Sequence, residues 1–262
     1  MLTTEQRQAF DEQGLVHIPG AFSRAEAQAM EDEMWTILKQ KVGALRTDPA
    51  TWSAKFVSGL QPFKKLPVFD PIGSKITLEA ITDLLGEGRW KYPKDWGQFL
   101  VTFPAQEQWT VPNHWHIDFG FQMPPDGLSG LLMFSFLADV APQGGGTAVV
   151  NGSHHLIRRF VETQPPDETF TTGKRGRKAF LRSDPWLADL SSDKKDPGRV
   201  ARFMATEHII DGISVKVSEL SGKAGDIVIA HPWLLHCTAP NCGNWPRFMR
   251  VQRIALAERT VA

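Results

Sequence analysis

Apolar positions recur at helical spacing in the first third of the chain and at strand-like spacing through most of the rest. Thr3 followed by Gln6 forms a capping box that opens a helix to about Gln13, and Gly14 closes it. Leu15 to Ile18 reads as a short strand ended by Pro19 and Gly20. A second capping box, Ser23 with Glu26, begins a longer helix whose apolar face runs Ala27, Met30, Met34, Ile37 and Leu38. Pro49, Pro62, Pro67 and Pro71 interrupt residues 43–75, so no long element is expected there. Ile76 to Leu85 is a short amphipathic helix stopped by Gly86.

Beyond it the texture changes. Gln98 to Phe103, Leu128 to Val140, and Thr147 to Val150 after Gly144, Gly145 and Gly146 are strand candidates. Strands resume with alternating Ile213, Val215 and Val217, then Ile227 to Ala230 and Met249 to Leu256. Residues 156–206 are polar and charged and read as an insertion with a possible role as a lid. Helices first and strands after, with no βαβ alternation and no internal repeat, predict a mainly β jelly-roll core carrying N-terminal helices and one long insertion. A single domain over 1–262 is expected, with residues 1–90 mostly helical and the core drawn from 98–155 and 207–257.

With 42% hydrophobic residues the 262-residue chain can bury a full core. Lys plus Arg and Asp plus Glu number 29 each, so no overall field draws in nucleic acid or an anionic membrane. The basic run Lys174, Arg175, Arg177 and Lys178 is accordingly read as a solvated face. The expected partner is a small molecule. The N-terminus is polar, which predicts no signal peptide, and no run reaches the ~18 apolar residues of a membrane span. Two cysteines, Cys237 and Cys242, are expected to be reduced, in keeping with a cytoplasmic location. Oligomeric state has no sequence signal.

The candidate chemistry centres on Asn113 to Asp118. His116 and Asp118, two residues apart in an extended segment, face one side and can grip one ion. His236 is the best third ligand, and two imidazoles with one carboxylate form the non-heme Fe(II) arrangement used for oxygen chemistry. His231 lies at an odd offset from His236 and is expected to face away; His114 shares the parity of His116 and is an alternate or neighbouring partner. His17, His155 and His208 lack metal-like spacing. Cys237 would suit zinc better than iron. A zinc-dependent hydrolase and a non-catalytic jelly-roll binding protein remain open at this point.

With these residues in view, the chain resembles the phytanoyl-CoA dioxygenase family of Fe(II)- and 2-oxoglutarate-dependent oxygenases. The carrying stretches are LTTEQRQAFDEQGLVHIPGAFSRAEAQAM, HWHIDFG, QGGGTAVVNGSHH, and HPWLLHCTAPN followed by Arg247, in that order. The resemblance implies a double-stranded β-helix, iron held by His116, Asp118 and His236, and 2-oxoglutarate and O2 as co-substrates. It also implies that Arg247 binds the distal carboxylate of 2-oxoglutarate with help from Thr238, and that Thr147 and Asn113 contact the same molecule. Strand parity favours Arg247 over Arg250 for the inward position, because Arg247 shares its face with Met249 and Val251. His154, the histidine of GSH, is expected to be a turn or packing residue. Phe119, Phe121, Gln122 and Met123, with Trp233, are candidates for the substrate pocket. Asp118 stands where halogenating relatives have a small residue, so the implied outcome is hydroxylation of a small organic molecule, with desaturation, cyclisation or epimerisation as alternatives.

Overall fold

The computed structural model describes residues 1–52, 57–105, 108–121, 127–164, 174–194 and 196–257. The N-terminal elements are α1 (Thr4–Gln13), β1 (Leu15–Ile18) and α2 (Arg24–Val42). Both expected capping boxes are present: Thr3 and Ser23 each accept from the backbone of the third helical residue, and Gln6 and Glu26 return the bond. Three short 3-10 turns, Pro49–Thr51, Gln61–Lys65 and Pro67–Gly73, follow where the prolines forbid a longer helix. α3 (Lys75–Leu85) completes this layer.

The strands are β2 (Gln98–Thr102), β3 (Gly130–Phe136), β4 (Thr147–Asn151), β5 (His208–Ile210), β6 (Ile213–Glu219), β7 (Ile227–Ala230), β8 (His236–Thr238) and β9 (Arg247–Ala255). They form a five-stranded sheet, β1-β7-β3-β9-β2, and a four-stranded sheet, β5-β6-β4-β8. Every pairing is antiparallel. The two sheets face each other as a jelly roll, the double-stranded β-helix expected from the sequence.

Strand alternation sorts the apolar residues into three layers. From β9, Phe248 and Ile254 pack outward with the N-terminal helices, while Met249 and Val251 pack inward. From β3, Leu131 and Met133 go outward, and Leu132, Phe134 and Phe136 fill the space between the sheets. The inner cluster also takes Val149 from β4 and Val228 and Ala230 from β7. The Gly-rich turn before β4 depends on glycine: Gly145 has φ 81°, and a Cβ on Gly146 would meet the Leu220 carbonyl oxygen at 1.9 Å.

The third layer comes from the expected insertion, whose polar composition gave no sign of a packed face. α4 (Ser153–Glu162), α5 (Lys174–Phe180) and α6 (Pro185–Leu190) cover the outer face of the four-stranded sheet. Leu156, Ile157, Phe180, Trp186, Leu187, Leu190 and Phe203 are buried against Ala148, Val150 and Val215. Polar composition hid this layer because each helix is short and buries only a narrow stripe, leaving charge on the rest of its surface. The three-residue strands β5 and β8 also escape the sequence pattern, being too short to show alternation. Among the described residues no helix is long and apolar enough to cross a membrane.

Candidate active site

His116 and His236 are brought together by backbone pairing. The two residues form an isolated antiparallel bridge, with His116 N donating to His236 O at 3.0 Å and His236 N to His116 O at 2.9 Å. Their rings lie with centroids 4.3 Å apart. Asp118, two residues on, puts Oδ1 3.9 Å from His116 Nε2 and 4.0 Å from His236 Nε2. One ligand atom from each of the three lies within 4.8 Å of the others, the one such cluster of His, Cys, Asp or Glu among the described residues.

The second ring nitrogens fix the tautomers. His236 Nδ1 lies 2.9 Å from the Leu234 carbonyl and His116 Nδ1 3.2 Å from the His114 carbonyl. A carbonyl only accepts, so each Nδ1 carries the proton and each Nε2 turns a lone pair toward the cluster. Burial, joined by the neighbouring His116, pushes the pKa of His236 down to about 4, so its ring is neutral at pH 7. Burial would raise the pKa of Asp118, but the Arg253 hydrogen bond and the two imidazoles outweigh it and hold the carboxyl below its usual range. Arg253 Nη2 reaches Asp118 Oδ1 at 3.1 Å, a partner that nothing near Asp118 in sequence announces. The donor set, two imidazoles and one carboxylate with His116 on the exposed side, suits a divalent iron with open positions.

Arg247 lies at the start of β9, opposite Thr102 of β2, and its Nη2 donates to Thr102 Oγ1 at 2.7 Å. Its Nε and Nη1 are buried and bond no partner. Burial lowers its pKa to about 10, with Glu219 opposing that shift, so the group stays cationic at neutral pH. A buried cation with open donors suits a carboxylate such as the distal end of 2-oxoglutarate. Thr238 and Thr147 are directly opposed across β8 and β4, on the same face as His236 and Val149. Glu219 accepts from Gly146 N at 2.8 Å and Gln143 N at 2.6 Å and so closes the Gly-rich turn beneath them.

Arg250 has another task. Its guanidinium lies over Phe69 and Phe99, at 4.6 and 4.5 Å from the ring centroids, and Nη2 donates to the carbonyls of Lys64 and Gly97. His231 lies in a turn rather than an extended strand, its N bonded to Gly14 O and its Nδ1 accepting from Trp233 N. It faces α1 and α4 beside His154, whose Nε2 bonds Asp11 O at 3.0 Å. His114 contributes its carbonyl to His116 and lies next to the cluster.

The remaining sequence candidates are dispersed. Asn113 gives its amide to Asp193 along the cavity beside His116. Phe119 packs over Gly130, and Phe121 is buried against Phe160. Trp233 is buried, with Nε1 donating to Gly120 O at 2.9 Å, so it pins the segment after Asp118. Gln122 and Met123 lie outside the described residues. Ser153 is a residue the sequence reading missed. Its hydroxyl accepts from Leu235 N at 2.9 Å, fixing the backbone next to His236. Its position in the Gly-Ser-His stretch that opens α4 was the available signal.

The double-stranded β-helix with two imidazoles and a carboxylate on its inner face defines the class, that of non-heme iron, 2-oxoglutarate-dependent oxygenases. Within it the chain belongs to the phytanoyl-CoA dioxygenase (PhyH) family, whose sequence profile matches residues 10–249. No curated protein matches in sequence. Among solved structures, the fold is shared with the carbocyclase SnoK from nogalamycin biosynthesis, at 20% identity and TM-score 0.50, covering 97% of this chain and 84% of that one. It is shared also with the epimerase SnoN in complex with Fe3+, alpha ketoglutarate and nogalamycin RO, at 18% identity and TM-score 0.51, covering 96% and 82%. HygX from Streptomyces hygroscopicus, with nickel and 2-oxoglutarate bound, has 16% identity and TM-score 0.51, covering 97% and 87%.

Proposed function

We propose that this protein is an Fe(II)- and 2-oxoglutarate-dependent dioxygenase that oxidises a small organic molecule, with release of succinate and CO2. The observation that carries the reading is the convergence of His116 Nε2, His236 Nε2 and an Asp118 oxygen, with both Nδ1 atoms already bonded to carbonyls. His116, Asp118 and His236 would hold the iron, and Arg247 with Thr238 would hold the distal carboxylate of 2-oxoglutarate. Thr147 and Asn113 are further candidates for contact with it. When bound, the iron and 2-oxoglutarate supply the activation of O2. The chain's own part is to orient: the carbonyls of His114 and Leu234 aim the imidazoles, Arg253 holds Asp118, and the inner apolar cluster around Phe134 and Met249 excludes water from the floor.

Asp118 occupies the third ligand position, which favours hydroxylation; the epimerase and carbocyclase sharing this fold keep those outcomes as the second reading. The nogalamycin ligand of the epimerase favours a natural-product intermediate as substrate here too. Two free thiols, Cys237 and Cys242, fit a reducing cytoplasm. The test is anaerobic addition of Fe(II) and 2-oxoglutarate. A visible metal-to-ligand charge-transfer band is expected, absent in His116→Ala, and substrate-dependent succinate release should follow on admitting O2. A zinc hydrolase or a binding module would give neither signal.

A further inference from the structure

A cavity beside the cluster, about 780 Å3, is lined by His116, Trp115 and Asn113 and also by Arg177, Lys178 and Arg182. Its volume is in the range of small-molecule pockets. No acidic side chain lines it among the described residues. The nearby carboxylates are already engaged. Asp184 caps α6 through Trp186 N, Asp189 pairs with Arg202 at 3.0 Å, and Asp193 takes the amide of Asn113. Several other arginines find carboxylates, Arg7 with Asp83, Arg24 with Asp139, Arg46 with Asp32, Arg202 with Asp196 and Arg253 with Asp118, whereas Arg247 and Arg250 do not. Arg177, Lys178 and Arg182 form no ion pair among the described residues.

Three cations that line one cavity and form no ion pair of their own repel each other, and an anion bound among them relieves that repulsion. In a chain with 29 acidic and 29 basic residues this local excess is not a by-product of composition. It also lacks the extended field that a nucleic-acid polymer would need. We propose that the substrate is an anionic small molecule whose carboxylate or phosphate is held by Arg177, Lys178 and Arg182, leaving the rest of it directed along Trp115 toward His116. Arg177 and Arg182 supply the planar fork that such oxyanions bind bidentately, and Lys178 adds a point charge. This rests on the oxygenase reading of the same site.

The protein, loaded anaerobically with Fe(II) and saturating 2-oxoglutarate so that Arg247 is engaged, is titrated with phenyl phosphate, phenylacetate and neutral benzyl alcohol. Tryptophan fluorescence and calorimetry read binding. One or both anions should saturate at one per chain where the alcohol does not, and the arm that binds tells phosphate from carboxylate. The combined variant Arg177→Ala, Lys178→Ala and Arg182→Ala should weaken that binding about tenfold or more. Lys75→Ala, on α3, should leave it unchanged. Arg182→Ala alone, at an exposed position, gives a second reading should the triple variant fold poorly. Equal binding of the alcohol, no saturation by either anion, or wild-type affinity in a folded triple variant overturns the proposal. If the charge-transfer band persists while anion binding fails, only the substrate class falls; if the band is absent, the oxygenase reading itself falls.

Discussion

Arg247 and Arg250 stand three residues apart on β9, and strand alternation sends one between the sheets and the other toward the N-terminal layer. Both leave Nε and Nη1 unbonded, so open donors alone do not separate them. Surroundings do: Arg250 lies over the paired rings of Phe69 and Phe99 and ties down two carbonyls, whereas Arg247 meets one hydroxyl on the inner face. Lys at 247 keeps the charge but loses the fork. Arg247→Lys is therefore expected to raise the KM for 2-oxoglutarate about tenfold or more, with iron binding retained. Arg250→Lys should leave that KM unchanged and destabilise the fold by about 2 to 3 kcal/mol, from lost charged hydrogen bonds and ring stacking. Steady-state kinetics over 2-oxoglutarate concentration and urea unfolding of both variants check the pair, and exchanged phenotypes would reverse the assignment.

At the scale of elements, His236 owes its position to Leu235. Leu235 N donates to Ser153 Oγ and Leu235 O accepts from Val150 N, each at 2.9 Å, so the residue before His236 is fixed on both sides. Ser153→Ala leaves a buried N–H without a partner, which costs about 1 to 3 kcal/mol. It also frees the strand that aims the imidazole, so iron affinity should fall about tenfold. Thermal unfolding and an iron titration measure the two effects, and a loss of stability with unchanged iron affinity would confine Ser153 to folding. The same element shows what the sequence could reveal. Both capping boxes, the helices they open, and the parity that sets Arg247 inward were legible, because each depends on residues close in sequence. The pairing of His116 with His236 needed the family motifs, since 120 positions separate them and β8 is too short to announce itself. The Arg253 contact to Asp118, the Ser153 bond and the helical layer on the second sheet were illegible for one reason: they come from packing between distant elements whose residue types permit many partners.

For the whole molecule, a pair of buried histidines away from the candidate iron site couples the fold to pH. His154 and His231 sit with ring centroids 4.8 Å apart where α1, α4 and the β7 to β8 turn meet, 5% and 7% exposed. Burial first, then the neighbouring cations and imidazoles, pushes His154 down to about 4 and His231 to about 2. In the unfolded chain both return to about 6.5. Above that pH neither state binds a proton at these rings, and their contribution to stability is level. Below it the unfolded chain takes up protons that the folded chain refuses, so stability falls as pH drops from about 6.5 toward the folded values. Near pH 5 the two rings give an uptake of about two protons on unfolding, or roughly 2.7 kcal/mol lost per pH unit. Other titrating groups add to the total, so the decisive measurement is a difference. Urea unfolding at a series of pH values between 7 and about 4.5, for the wild type and His231→Gln, should give slopes differing by about one proton. Equal slopes would mean that His231 is protonated within the folded molecule, and that the junction of α1 with α4 opens to water in acid while the sheets stay paired.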